Sequence, residues 1–447
     1  MGPEVSHSRT ESLEIGDSVG PKERLGIYQW YALSLLVALQ VINMVDRSVI
    51  SVVVEPLKAA FSLSDKQVGM LAVAFAVTNG LASLPMGWLA DRVNRRAMLS
   101  AAVVTWSGLT AACSFAPNFA MLILARMGVG ISEAPTVSAS LSLIADTFPV
   151  SRRNTALSLF SSGVNIGQVV IFIVGGWLLM HYGWRTVFLV AGAPGLPLAL
   201  LIYFTTREPK RGAFDARQHT PKEETAPVGG ALRNIFGNPA LLYAIVALTT
   251  ATGVVYSVSV WATSFLVRVH GLSVSEGAIR TGLGYGICAT VGSLLVGPLA
   301  DRFSKGNLRK LTIIPMVFTF VALIGGVTMV LGGALAVSFA GLALMSLTTG
   351  FFVPISYSVM LLLCVPEQRG MTAATAMVFS TLVGAGPIPL ITGAISDAIG
   401  GPQSIRPALL CTLAFLLFSI FCYVRVHRIV SRRERDNADS LNIAGKR

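Results

Sequence analysis

Four ionisable residues stand in stretches otherwise too apolar to hold them. Asp46 and Arg47 are adjacent, and Arg126 and Glu133 lie seven residues apart. A charged side chain at bilayer depth costs at least ~2.5–3.5 kcal/mol, so such a group marks function by default. Two acids beside two bases can pass protons or hold a charged molecule. A carboxylate whose basic partner leaves it in apolar surroundings takes up a proton. The plainer alternative is a pair of static salt bridges, which stabilise poorly compared with apolar packing.

Spacing refines this picture. Seven residues put Arg126 and Glu133 on one helix face, about 10 Å apart along its axis. Asp46 and Arg47 fall at a similar depth in a span running the other way, so the expected pairs are Asp46 with Arg126 and Arg47 with Glu133. Asp46 and Glu133 are the candidate proton-coupling residues. Arg47 and Arg126, with Asn43 and Asn165, are candidate substrate contacts on the same wall. Tyr256, Trp261 and Tyr357 are the candidates on the opposite wall. The second half offers no comparable charge, and residues 311–366 contain no acid, lysine, arginine or histidine. A cavity between the halves would therefore be lopsided, charged on one side and aromatic and apolar on the other. A molecule with a charged head and an apolar tail fits that asymmetry.

The elements that carry these residues follow from composition. Hydrophobic residues make up 53% of the 447 and charged residues only 13%, with mean hydropathy +0.69. A soluble domain carries roughly 25% charged residues, so lipid is the solvent here. Spans of about 20 apolar residues cross a hydrocarbon core. Cuts at charged and Pro/Gly-rich loops give twelve: 27–54, 66–89, 97–115, 119–146, 154–180, 186–206, 239–267, 278–300, 310–331, 334–364, 371–397 and 405–426. The expected architecture is an all-α membrane protein of two pseudo-symmetric six-helix bundles. Residues 1–26 read as a cytoplasmic tail without a cleavable signal peptide. Residues 27–206 form the first bundle, 207–238 a cytoplasmic linker, 239–426 the second bundle and 427–447 a cytoplasmic tail.

With the N-terminus inside, 26 of the 34 lysines and arginines fall in inner segments and six in outer loops. That bias places both termini in the cytoplasm of a cell whose plasma membrane the chain spans. It also accounts for the net charge of +12 as juxtamembrane charge facing anionic lipid, with no nucleic-acid partner required. The five cysteines, Cys113, Cys288, Cys364, Cys411 and Cys422, are scattered singly without metal-ligand spacing. Five histidines form no metalloprotease pattern, and neither a nucleophile elbow nor a phosphate-binding loop is present, so no enzyme, cofactor or metal is expected.

One phrase occurs twice. Gly87-Trp-Leu-Ala-Asp91-Arg92, followed by Arg95 and Arg96, returns 210 residues later as Gly297-Pro-Leu-Ala-Asp301-Arg302. The exits of spans 4 and 10, Pro149-Val-Ser-Arg152 and Pro366-Glu-Gln-Arg369, repeat at an offset of 217. Two membrane halves joined in one chain are the frame of a secondary transporter. The paired phrases resemble the loop signature of the major facilitator superfamily. That resemblance implies alternating access, driven by a proton gradient rather than a cofactor. It also implies a cytoplasmic gate of Gly87, Asp91, Arg92, Arg95, Arg96, Asp301 and Arg302, with the two aspartates capping neighbouring helices and the arginines closing that face by charge pairs. Asn43-Met-Val-Asp46-Arg47, Arg126-Met-Gly-Val-Gly130-Ile-Ser-Glu133 and Ser142-Leu-Ile-Ala-Asp146 resemble the Spinster family. The implied substrate is a lysophospholipid or sphingolipid, the implied coupling ion a proton, and the implied state a monomer. The organic-anion symporter branch shares a similar fourth span and is the second reading. The Gly-Pro signature of exchangers is missing from span 5.

Overall fold

A computed structural model describes residues 26–90, 92–209, 228–304, 307–365 and 368–444. The N-terminal tail, Asp91, Lys305 and the middle of the expected linker lie outside the described residues. Lipid offers the backbone no hydrogen-bond partner, so each span must satisfy its own amides, and a helix does so.

The first half contains α1 (Ile27–Phe61), α2 (Asp65–Ala90), α3 (Arg95–Cys113), α4 (Phe119–Glu133), α5 (Thr136–Thr147), α6 (Val150–Gly192) and α7 (Gly195–Thr205). A short helix, α8 (Val228–Gly237), lies within the expected linker. The second half contains α9 (Pro239–His270), α10 (Val274–Thr281), α11 (Cys288–Ser304), α12 (Leu308–Leu311), α13 (Ile313–Leu331), α14 (Leu335–Leu363), α15 (Arg369–Phe379), α16 (Pro387–Ile399) and α17 (Ile405–Ala444).

Ten stretches of the described residues are long and apolar enough to cross a membrane. One of them, Thr155–Thr205, turns back at Gly183, whose φ of 78° suits a residue without Cβ. A further crossing is α3, which is less apolar because Ser100, Ser107 and Thr110 sit on its buried side. Twelve passes result, six in each half.

Local chemistry alters several expected spans. The fourth breaks between α4 and α5 at Ala134-Pro135, because proline cannot supply the helical amide. Glu133 is thereby left in the last turn of α4. Spans 8 and 11 each carry a π-helical turn, Gly282–Ile287 and Ser380–Ala385. The residues from 427 continue α17 as helix to Ala444.

The buried core reports how the halves meet. One apolar cluster runs through both, from Val49–Leu57 and Phe172 to Trp261, Phe265 and Leu342. It lies toward the end that carries the α1–α2 turn. At the other end, which carries the repeated phrase, the cores separate. Leu99, Trp106 and Phe148 belong to one cluster, and Ile245, Phe351 and Val359 belong to another.

Helix α1 reaches its place through a backbone-to-backbone crossing with α6. A Cβ on Gly163 would come within 2.9 Å of the Val37 carbonyl oxygen, and one on Gly167 within 2.4 Å of that of Val41. This contact ends just before Asp46 and fixes its depth. Overpacking costs typically ~1–3 kcal/mol. Gly167→Ala should therefore lower the melting temperature of the purified protein. Gly108→Ala, which meets nothing within 4 Å, should leave it unchanged or raise it through helix propensity.

Candidate functional site

The four intramembrane charges converge between α1 and α4. Arg47 donates from Nε to Glu133 Oε2 at 2.8 Å. Arg126 donates from Nη1 to Asp46 Oδ1 at 3.2 Å and to the Asp46 carbonyl at 3.3 Å. These are the two pairs that span depth suggested. The Thr110 hydroxyl on α3 also donates to Asp46 Oδ1, at 2.6 Å.

The pairs differ in access. The Arg126 and Asp46 side chains are 2% and 1% exposed. Glu133 is fully buried, whereas the Arg47 side chain is 25% exposed. The Arg47–Glu133 pair is thus the one an entering molecule can reach, through its arginine. An anion at a helix C-terminus faces the negative end of the dipole, so the Glu133 charge depends on Arg47. Both guanidinium groups also lie over the Phe75 ring of α2, at 5.3 Å and 5.2 Å from its centre. Asp46 Oδ2, Glu133 Oε1, Arg126 Nε and Asn43 Nδ2 are buried and make no hydrogen bond within the protein. The quartet therefore keeps unused donors and acceptors.

The other candidate contacts divide. Tyr256, from the second half, lies within electrostatic reach of Arg126, Arg47 and Glu133. Asn165 donates to Ser293 Oγ at 3.2 Å and Gln168 to Ser259 Oγ at 2.9 Å, so both tie the halves together. Tyr357 packs in the apolar cluster at the repeat end of the second half. Trp261 is turned away: its ring is 0% exposed and its Nε1 donates to the Pro389 carbonyl at 3.2 Å. In this conformation it is packing between α9 and α16 and offers no surface to a ligand.

The repeat end also departs from expectation. Arg95 donates to Asp146 at 2.5 Å and to Glu208 at 2.7 Å. Arg96 donates from its backbone to Glu208 and from its side chain to the Thr206 carbonyl. Arg92 lies over the Trp88 ring, 3.8 Å from its centre. All these partners belong to the first half or to the chain just after it, so the arginines do not join the two halves here. A Cβ on Gly87 would meet nothing within 4 Å, and Arg302 is exposed. The observed caps are Asn94, which accepts from the Ala97 amide, and Asn307, which accepts from the Lys310 amide, both at 3.0 Å. Asp91 and the Asp301 side chain lie outside the described residues.

The halves are instead latched at the opposite end, by charged residues at the helix ends. Arg268 donates to both oxygens of Asp65, at 2.7 Å and 2.8 Å, and to Glu55 at 2.8 Å. Lys58 also bonds Asp65, and the Ser396 hydroxyl donates to it at 2.6 Å. Asp397 accepts from the Asp65 and Lys66 amides at 2.8 Å and 2.7 Å, capping α2 from the other half. No spacing rule links residues 65, 268 and 397, so no local signal announces this cluster.

Two outcomes are expected. Asp65→Asn should weaken the latch and add longer distances between spin labels at Lys66 and Glu276; an unchanged distribution would refute the latch. Breaking a buried ion pair from one side costs about 3–5 kcal/mol. Arg126→Gln alone should therefore lower the melting temperature more than Arg126→Gln combined with Asp46→Asn.

Comparison with known proteins agrees with this geometry. The sequence profile of the Major Facilitator Superfamily matches residues 36–387. An MFS-type efflux pump of Mycolicibacterium smegmatis is 27% identical, covering 88% of this chain and 91% of its own. The probable galactarate/D-glucarate transporter GudP of Bacillus subtilis is 27% identical, covering 66% and 69%. Spinster homolog 1 of Xenopus laevis is 26% identical, covering 90% and 80%. A solved bacterial homologue of the human lysosomal transporter Spinster, inward-facing and unoccupied, superposes with a TM-score of 0.81 at 28% identity, covering 92% of this chain and 99% of that one. A duplicated twelve-pass bundle with this match over most of its length belongs to the major facilitator superfamily, and among its transporters it resembles the Spinster type.

Proposed function

We propose that this transporter moves an amphipathic, lipid-like molecule of the lysophospholipid or sphingolipid type, coupled to protons bound at Glu133 and Asp46. The observation that carries the reading is the confinement of charge to one wall, with Arg47 accessible and Glu133 sealed behind it. An anionic headgroup that takes the Arg47 guanidinium removes the partner of Glu133. The freed carboxyl, buried at a helix end, then takes up a proton. Neutralisation loosens the hold of α4 on α1 and allows the halves to rock. Tyr256 and the apolar second half receive the tail. The Spinster relatives and the bacterial Spinster structure support transport by a Spinster-like frame. The lipid-like substrate class rests on the one-sided charge of the cavity and on the family resemblance of the first and fourth spans.

The working topology places the protein in the plasma membrane as a monomer with both termini cytoplasmic. The latched end then faces outward and the separated end inward, which makes the described conformation inward-facing. Asp91, Arg92, Arg95, Arg96, Asp301 and Arg302 close the cytoplasmic face in the opposite state. There the first-half arginines exchange their present partners for contacts across the halves.

A second reading, proton-coupled uptake of a small organic anion, draws on the galactarate/D-glucarate relative and on the paired arginines. Reconstituted vesicles separate the two. With a proton gradient, the wild type should move a labelled lysolipid but not a hexuronate. Glu133→Gln and Asp46→Asn should each cut gradient-driven transport at least tenfold while keeping the elution profile of the folded protein. Undiminished transport by both variants would sink proton coupling, and gradient-driven movement of the hexuronate alone would select the second reading.

A further inference from the structure

A cavity remote from the transport site collects positive charge at the repeat end of the second half. Helix α17 leaves the apolar core over Val426–Val430 and continues outward. His427, Arg428, Ser431, Arg432 and Arg435 follow at spacings that keep them on one helical face. Arg309 of α12 faces them, and the six residues line a cavity of about 370 Å³. His427 Nδ1 pairs with the Thr312 hydroxyl at 2.9 Å, which joins α17 to the α12–α13 turn. Among the described residues no acid lines the cavity; Glu434 and Asp436 are on the same helix but outside the lining, and the Asp439 side chain lies outside the described residues. Among the described residues, none of the four arginines forms an ion pair.

Ser431 gives the independent sign of a ligand. It is 5% exposed, its hydroxyl makes no hydrogen bond within the protein, and it belongs to the lining. A buried hydroxyl normally finds a partner. Four guanidinium groups brought together with no counter-charge among the described residues repel one another, and a multiply charged anion relieves that repulsion. The guanidinium fork matches phosphate oxygens two at a time.

The level of the cavity selects the source of the phosphate. Phe418 and Phe421 are about half exposed on α17 and mark its lipid-facing part. Arg428 follows Phe421 by seven residues, roughly 10 Å along the axis, which is the depth of headgroups beside a hydrocarbon edge. We infer that this cavity binds the phosphate of an anionic membrane phospholipid and so fastens α17 and α12 to one leaflet.

Native mass spectrometry of the full chain in detergent tests this, with phosphatidic acid, phosphatidylcholine and inorganic phosphate as probes. Phosphatidic acid should bind at least ~10-fold more tightly than phosphatidylcholine, since each arginine near an anionic surface contributes on the order of a several-fold gain. Arg428→Gln with Arg432→Gln should remove most of that preference, and Ser431→Ala should weaken it. Arg185→Gln, at the other end of the bundle, should leave it intact. Arg428→Lys with Arg432→Lys keeps the charge but not the fork, so it should bind at an intermediate level, and it serves if the glutamine pair fails to fold. Equal retention of the two lipids, or no loss in the arginine variants, overturns the site. Displacement of phosphatidic acid by an equal concentration of inorganic phosphate overturns its assignment to lipid.

Discussion

Four charges taken out of water in the first half constrain everything around them. None can be left alone at that depth, so each must find an opposite charge, a hydroxyl or an aromatic face. Arg47 and Glu133 join α1 to α4, as do Arg126 and Asp46. Thr110 brings in α3, and Phe75 brings in α2 beneath both arginines. Four helices thus meet at one point. The glycines of α6 let a fifth pass close behind α1. The arrangement is expensive as a stabiliser and specific as a device, because one partner of one pair stays within reach of the space between the halves.

The two ends of the bundle complement this centre. At one end Arg268 grips Asp65 with two parallel hydrogen bonds and Glu55 with a third, while Asp397 caps α2 from across the interface. The apolar core is continuous there. At the other end the arginines of the repeated phrase turn back on Asp146 and Glu208, and the core is split in two. These pairs are largely buried, so a charge that loses its partner without finding another is costly. Rocking of two rigid halves therefore requires each charge to exchange one partner for another rather than to be left alone.

Duplication explains the frame but not the chemistry. Both halves have six passes, and both keep an asparagine cap after the repeated phrase. Only the first half keeps charges in its interior. The second half has instead two π-helical turns, at Gly282–Ile287 and Ser380–Ala385. Each contributes to the interface with the first half: Gly282 would press its Cβ against Phe172, and Leu382 fills the space beside Gly80. One half holds the ionisable machinery, and the other supplies a wall fitted against it.

What the sequence alone determined is what lipid makes costly. Apolar run length settled the passes, and the price of a buried charge singled out Asp46, Arg47, Arg126 and Glu133. Their depths then fixed the pairing, because helices of known rise running in opposite directions leave few alternatives. Tertiary structure decided whatever depends on helix rotation and on contacts between distant segments. Trp261 had the right type and span for a ligand contact, yet the rotation of α9 turned its ring toward Pro389. Phe75 looked like one apolar residue among many until folding set it beneath two guanidinium groups. The latch of Asp65, Arg268 and Asp397 draws on three separate helices, and no periodicity can relate them. The break at Pro135 was visible as a proline, but only the fold showed that it leaves Glu133 at a helix end, where its charge depends on Arg47.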